Sequence, residues 1–292
     1  MNLTIVTPSF NRGERLHILY NSLNEQTSKE FKWMIIDDGS TDNTYEIVEE
    51  FINTSDFSIK YFYKTNGGKH TAINFGLNFV DTELVMIVDS DDYLTIDAVE
   101  TIIIAWKKNS NKIIGNMLFL KQDFNGNLSG AEFKDSVFIE NYNKYVLGKN
   151  KRAEFADVWV TEILKDYPYP VYNNEKYVAE STIWTQISRD YQTLFVNKVI
   201  YIFEYQGDGL TSNGRVMRLR NPKGSMENAL AIMESDISFF LNIKNTLLYT
   251  SYGIYSENDI KTIYTKIPHK QLFCMLLPLS FLVSKYWRKY NI

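Results

Sequence analysis

The segment Glu83-Leu84-Val85-Met86-Ile87-Val88-Asp89-Ser90-Asp91-Asp92 joins a short apolar run to a cluster of carboxylates. The run has the length and β-branched content of a buried strand. It predicts that the acids emerge together at the strand's C-terminal edge, where open α/β sheets bind ligands. Carboxylates this close repel one another unless a positive group joins them. A hard divalent cation, Mg2+ or Mn2+, suits oxygen donors and commonly bridges protein carboxylates to phosphate oxygens, which points to a phosphate-bearing substrate. The same residues also read as a solvated acidic turn, with Asp91 or Asp92 capping the next helix, so the motif needs support elsewhere.

The flanking sequence alternates strand and helix signals. Leu3 to Thr7 reads as a strand, Arg15 to Gln26 as a helix with Leu16, Leu19, Tyr20 and Leu23 on one face, and Phe31 to Ile36 as a second strand. Thr41-Asp42-Asn43-Thr44 supplies caps for a helix through Phe51, Ser58 to Tyr63 is strand-like, and Thr71 to Val80 is helical. This alternation predicts an α/β fold with a mainly parallel central sheet and helices on both faces. With 292 residues, 45% of them hydrophobic, the chain can bury a large core. A net charge of -4 gives no general attraction to nucleic acid. The single cysteine, Cys274, permits no intrachain disulfide, and His17, His70 and His269 lack zinc-site spacing, which fits a reducing, cytoplasmic compartment. Met1 to Pro8 lacks the basic start and long apolar centre of a secretory signal and reads directly as a first strand.

Two further stretches bear on chemistry. Asp37 and Asp38 close the second strand, where nucleotide-binding α/β proteins place a carboxylate against a ribose or base. Asn66-Gly67-Gly68-Lys69-His70 could bring backbone N–H groups and an ammonium to a phosphate. Each is also an ordinary turn composition. The turn after strand one, Pro8-Ser9-Phe10-Asn11-Arg12-Gly13, lacks the G-x-G-x-x-G spacing of a dinucleotide site, which argues against a nicotinamide or flavin cofactor.

Taken in order, Thr7-Pro8-Ser9-Phe10-Asn11, Ile36-Asp37-Asp38-Gly39-Ser40-Thr41-Asp42-Asn43-Thr44, Asn66-Gly67-Gly68-Lys69-His70-Thr71-Ala72-Ile73-Asn74 and Val88-Asp89-Ser90-Asp91-Asp92 resemble the family-2 glycosyltransferases of the GT-A fold, of the bacterial surface-polysaccharide type. The resemblance implies a nucleotide-sugar donor, with a uridine nucleotide expected. Pro8, Phe10 and Asp38 would contact the base, with Asn66, Gly67, Lys69 and Asn74 near it or the phosphates, and Arg12 among the donor-binding residues. Asp89-Ser90-Asp91 would be the family's D-x-D motif, with Asp91 and Asp89 holding Mn2+ or Mg2+ on the diphosphate. Many members carry Arg where this chain has Ile73, so Lys69 is the expected substitute cation.

An inverting transfer needs a general base for the acceptor hydroxyl. Tyr177-Val178-Ala179-Glu180-Ser181-Thr182-Ile183-Trp184 resembles the place where the family carries it, which assigns the base to Glu180, against the alternative of a simple capping acid. Asp157 and Glu175 are rivals. Trp184, like Trp159, is a candidate platform under an acceptor sugar, although a buried core tryptophan is the commoner role. Lys121 to Gly130 reads as a turn between strands and Val196 to Tyr205 as another strand. The loop Gly207 to Gly214, leading to Arg215, Arg218, Arg220 and Lys223, reads either as a flap over the diphosphate or as a solvated basic surface.

The expected organisation is a GT-A domain over 1–210, with a nucleotide-sugar half (1–95) and an acceptor half (96–210), then a helical C-terminal appendage over 211–292. Ser225 is expected to open a long helix through Tyr249, and Ser256 to cap another near Ile260 to Ile267. Leu272 to Val283 is apolar all round, too short to span a bilayer, and followed by cations and aromatics. Residues 272–290 therefore read as a peripheral contact with the inner face of the cell membrane, or as a helix packed on the domain or on another copy in a homo-oligomer. The acceptor would be a glycan or a lipid-linked sugar. A nucleotide-sugar-binding protein without transfer activity and a nucleotidyltransferase are the alternatives.

Overall fold

The computed structural model of the protein describes residues 2–149, 153–204 and 214–289. The chain forms two compact units, one of Met1–Asn141, Lys151–Pro168 and Asp190–Tyr205, the other of Tyr142–Asn150, Tyr169–Arg189 and Gln206–Ile292.

In the first unit, β1 (Leu3–Ser9), α1 (Leu16–Asn24), β2 (Phe31–Asp37), α2 (Thr44–Thr54), β3 (Ser58–Tyr63), α3 (Lys69–Leu77) and β4 (Leu84–Ile87) alternate as the hydrophobic pattern requires. β1 lies parallel to β2 and β4, and β2 parallel to β3. All of β1 is buried, as is nearly all of β2, because helices cover both faces; β3, at the sheet's edge, is only partly covered. Trp33, Phe51 and Tyr20 pack one such face, with Tyr20 stacked on Phe51 at 4.0 Å between centroids.

The unit continues through β5 (Tyr93–Leu94), α4 (Ala98–Asn109), β6 (Ile114–Asp123), β7 (Val137–Glu140), β8 (Phe155–Val160), α5 (Thr161–Asp166) and β9 (Gln192–Phe203). β8 runs antiparallel to β4 and β6, β6 parallel to β9, and β5 and β7 antiparallel to β9. The described strands form one sheet ordered β3-β2-β1-β4-β8-β6-β9-β5, parallel where the acidic motifs lie and mixed beyond β4. The turn after β6 forms where expected: Asp123 Oδ1 accepts from the N–H groups of Asn125 and Asn127, each at 2.9 Å. β9 starts earlier than the expected Val196, because Gln192 donates its N–H to Ile113 O at 2.7 Å and extends the ladder beside β6.

The second unit contains α6 (Ser181–Ile187), α7 (Gly214–Arg220), α8 (Pro222–Glu234), α9 (Phe239–Tyr255), α10 (Ile260–Lys266) and α11 (Lys270–Lys289). Met226, Ala229, Met233, Tyr249, Tyr252, Ile263, Ile267 and Phe273 form its core. The expected single helix from Ser225 to Tyr249 is two helices, interrupted where Asp236 takes φ 44°. Ser225 lies inside α8 rather than at its start, its hydroxyl turned back onto Asn221 O at 2.9 Å, while Asn221 and Pro222 begin the helix. Ser256 closes α9 by donating to Tyr252 O at 2.8 Å, and the cap of α10 is Asp259, which accepts from Thr262 N at 3.2 Å. A serine hydroxyl serves either end of a helix by donating or accepting, which is why composition alone misplaced both caps. Residues 207–213 of the basic loop lie outside the described residues; Arg215, Arg218 and Arg220 are on α7 and Lys223 is on α8. No described helix is long and apolar enough to cross a membrane.

Candidate active site

Parallel pairing brings the carboxyl ends of β1, β2 and β4 to one edge, on either side of the point where the strand order reverses. Asp38 there is buried and held in place by four hydrogen bonds. Its carboxylate accepts from Lys64 Nζ at 2.6 Å, Gly67 N at 3.0 Å and Gly68 N at 2.7 Å, and its carbonyl accepts from Asn66 Nδ2 at 2.7 Å. Gly39 permits this closure: it takes φ 89°, and a Cβ on it would stand 2.8 Å from Asn66 N. Asp37 serves the turn instead, accepting from Ser40 N at 2.7 Å and Tyr61 Oη at 2.6 Å. The loop after β1 is tied to the same turn, because Asn11 Oδ1 accepts from Thr41 N at 2.8 Å and Ser40 Oγ accepts from Asn11 N at 2.9 Å. Next to buried Pro8 and Ser9, Phe10 is 48% exposed at the edge of the sheet.

The acidic motif follows β4. Val88 N extends the ladder to Val6 O at 3.0 Å, and Asp92 N then turns back onto Asp89 O at 3.2 Å. Lys69, the first residue of α3, pairs with Asp89 at 2.5 Å. Buried Tyr201, from β9, binds both ends of the turn: its hydroxyl donates to Asp92 Oδ2 at 2.7 Å and accepts from Asp89 N at 3.1 Å. The Lys121 ammonium lies 3.8 Å from the centroid of the Tyr201 ring. Burial works against the charge of Asp89, but Lys69 and Lys121 hold its carboxyl below the usual range. Burial and the Asp89 charge raise the Asp91 carboxyl, against the opposing charges of Arg12 and Arg15. The same two causes push Asp92 up to about 7. Two hard-oxygen donors whose charges oppose each other, Asp89 and Asp91, are chemically suited to a divalent cation. Among the described residues no cluster of three or more His, Cys, Asp or Glu forms a metal cage.

The first unit thus brings Pro8, Phe10, Asp38, Asn66, Gly67, Lys69, Asp89, Ser90 and Asp91 to one edge of its sheet, with Arg12 in the loop after β1, its charge felt at Asp91, and Asn74 half-buried on α3. Ile73, where an arginine was the family expectation, is buried against the sheet. Sequence reasoning missed Lys64, Lys121, Arg15 and Tyr201. A signal for Lys64 existed, since it directly follows Tyr63, which registers with Asp37. None existed for Tyr201 or Lys121, which reach the acids only through the pairing of β6 with β9.

In the second unit, Glu180 occupies the N-cap position of α6, half-buried. Trp184, one turn on, meets Tyr142 edge to face with centroids 5.8 Å apart. The rivals have other duties. Glu175 caps α8, accepting from Lys223 N at 3.0 Å and Gly224 N at 2.9 Å, and buried Asp157 accepts from the Trp159 indole. Trp159 is no sugar platform: it is 2% exposed in β8, a strand inside the sheet between β4 and β6 whose residues are nearly all buried.

The fold is that of the GT-A glycosyltransferases. Staphylococcus aureus TarS 1–349, solved with UDP-GlcNAc, superposes with a TM-score of 0.70 over 99% of this chain and 92% of that one, at 17% identity. The mannosyltransferase PcManGT of Pyrobaculum calidifontis, solved with GDP-Man and Mn2+, gives 0.57 over 99% and 87%, at 14% identity. Both likenesses take in the C-terminal helices, which the sequence motifs left outside. Residues 4–155 match the model of glycosyl transferase family 2, and the chain belongs to that family of glycosyltransferases. A GalNAc(5)-diNAcBac-PP-undecaprenol beta-1,3-glucosyltransferase of Campylobacter jejuni is 28% identical over 244 residues, 80% of this chain and 75% of that protein. The poly(ribitol-phosphate) beta-N-acetylglucosaminyltransferase TarP of Staphylococcus aureus is 31% identical over 172 residues, 51% of each chain. Glycosyltransferases GlyA and GlyG of Streptococcus pneumoniae are matched over 14% and 38% of their own length.

Proposed function

We propose that this glycosyltransferase moves a sugar from a uridine diphosphate donor to a hydroxyl of a glycan or lipid-linked acceptor, with inversion, in bacterial surface polysaccharide synthesis at the inner face of the cell membrane. The observation that carries the reading is the pairing, on one sheet edge, of a rigidly held Asp38 with the acidic turn Asp89 to Asp92. Asp38 is fixed by an ammonium and two backbone N–H groups, so the edges of its carboxylate and of the Asn66 loop are preorganised to read a nucleoside beside the exposed ring of Phe10. Arg12 and Lys69 supply positive charge for the diphosphate.

Asp91 and Asp89 would hold Mn2+ or Mg2+, of which such cations typically take one or two protein carboxylates and complete their shell with phosphate and water. When bound, the cation neutralises charge on the departing diphosphate. Glu180 takes the proton of the acceptor hydroxyl as its oxygen forms the new bond to the anomeric carbon. The bond from that carbon to the diphosphate oxygen breaks on the opposite face, and its electron pair leaves with the nucleotide. Trp184 offers the acceptor sugar a partly exposed ring in the same helix.

Calorimetric titration with UDP, with and without Mn2+, tests the donor side. Wild type is expected to bind with a metal-dependent increment that Asp91→Asn loses, while Glu180→Gln binds normally and lowers turnover by about 10²-fold or more. Metal-independent binding, or equal loss of binding in both variants, would end this division of roles.

A further inference from the structure

Helix α11 is packed with an unusual polarity. Its fully buried positions are Phe273, Ser280 and Ser284, with Leu277 and Trp287 packed beside them on the core of the second unit. Its larger apolar residues mostly point away: Met275 is 75% exposed, Leu282 64%, Phe281 48% and Leu279 45%, with Cys274 and Pro278 exposed between them. At 3.6 residues per turn, Met275, Pro278, Leu282, Lys285 and Lys289 form one outward line, flanked by Leu279 and Tyr286. A helix whose serines face the core while Met275, Leu279, Phe281 and Leu282 stay exposed has an apolar face that its own unit does not cover.

Charge says what covers it. The whole chain carries a formal net charge of -4, yet from Ile260 to Ile292 it has five lysines, one arginine and no acidic residue. Lys261, Lys266, Lys285 and Lys289 are exposed. Apolar side chains with cations and an aromatic at the end of their stripe match the boundary between acyl chains and anionic headgroups. The helix cannot span a bilayer.

We infer that the outward face of α11 is a monotopic membrane-docking surface for anionic lipid, with Met275, Leu279, Phe281 and Leu282 entering the headgroup boundary and Lys285 and Lys289 pairing with lipid phosphates. It deepens the inner-membrane placement in the reading above, and it requires no particular donor or acceptor.

The test is co-sedimentation of the full chain with vesicles of neutral phosphatidylcholine and of phosphatidylcholine carrying 30% phosphatidylglycerol, about 0.1 M salt, with light scattering of the free protein. Wild type is expected to prefer the anionic vesicles by about tenfold or more. Leu279→Glu/Leu282→Glu should abolish binding, and Lys285→Glu/Lys289→Glu should abolish the preference for anionic vesicles. These side chains face outward, so both variants should keep the wild-type melting curve and UDP binding. Equal sedimentation with both vesicle types, or undiminished binding by the leucine variant, would overturn the inference. So would a stable dimer that the leucine variant splits, which would give the face to a second copy. Failure of UDP binding with vesicle binding intact would strike the donor reading alone.

Discussion

At Asp92, a buried carboxylate is held by the Tyr201 phenol at 2.7 Å and, more loosely, by Glu204 N at 3.4 Å. The Tyr201 hydroxyl bridges the Asp92 carboxylate and the Asp89 N–H, and its ring lies against the Lys121 ammonium. Tyr201→Phe keeps the ring and the cation contact but leaves a buried acid short of a donor, so a loss of about 1–3 kcal/mol is expected in denaturant unfolding. Metal-dependent UDP binding should weaken with it, since the turn that presents Asp89 and Asp91 loses its tie; unchanged binding would make Tyr201 a core residue only. His70 gives a pH signature. It is buried, neither ring nitrogen has a partner among the described residues, and burial lowers its proton affinity, with Asp38 opposing and Lys64 assisting. The unfolded chain therefore takes up this proton first as pH falls below about 6.5, and stability declines there, by up to about 1.4 kcal/mol per pH unit for one proton. Asp92, whose raised carboxyl binds a proton more tightly when folded, acts with the opposite sign between about 4 and 7. The difference between the stability curves of wild type and His70→Gln isolates the histidine; a flat difference from pH 7 to 5 would refute its burial as a neutral ring.

At the level of elements, close backbone approaches decide which helices can sit where. Gly224 in α8 lies so near Tyr177 that an added Cβ would stand 2.4 Å from that residue's carbonyl oxygen. Because backbone cannot move aside as a flexible side chain does, Gly224→Ala should cost about 1–3 kcal/mol and lower the melting temperature by several degrees. Gly126, in the turn after β6, has nothing within 4 Å of its Cβ position, but its φ of 86° makes Gly126→Ala a smaller, conformational penalty of about 1 kcal/mol. Thermal melts of the two variants should therefore rank Gly224→Ala as the more damaging. Removing α11 altogether is a poor probe of its outer face. Phe273, Leu277 and Trp287 pack on the core with Tyr249, Tyr252 and Ile263, so truncation at Lys270 should expose that core and raise binding of a hydrophobic dye even without lipid.

Across the whole molecule, what could be read from the sequence follows one physical line. The alternation of strand and helix, the parallel start and the positions of Asp38, Lys69 and Asp89 to Asp92 rest on periodicity and on motifs contiguous in the chain, so the sequence by itself determined them. Contacts that depend on distant pairing were not readable. Lys121 and Tyr201 come to the acidic turn from β6 and β9, which pair only once the sheet has formed. The same holds for the buried fate of Trp159, for Glu175 as a cap, and for the break that divides α8 from α9. The outward leucines of α11 make the point most simply. A stretch that is apolar on every side does not encode which side will be covered, and only packing against α9 and its neighbours turned Ser280 and Ser284 inward. Local chemistry is written in the order of residues, whereas burial, partner choice and charge compensation are properties of surfaces that exist only once the chain has folded.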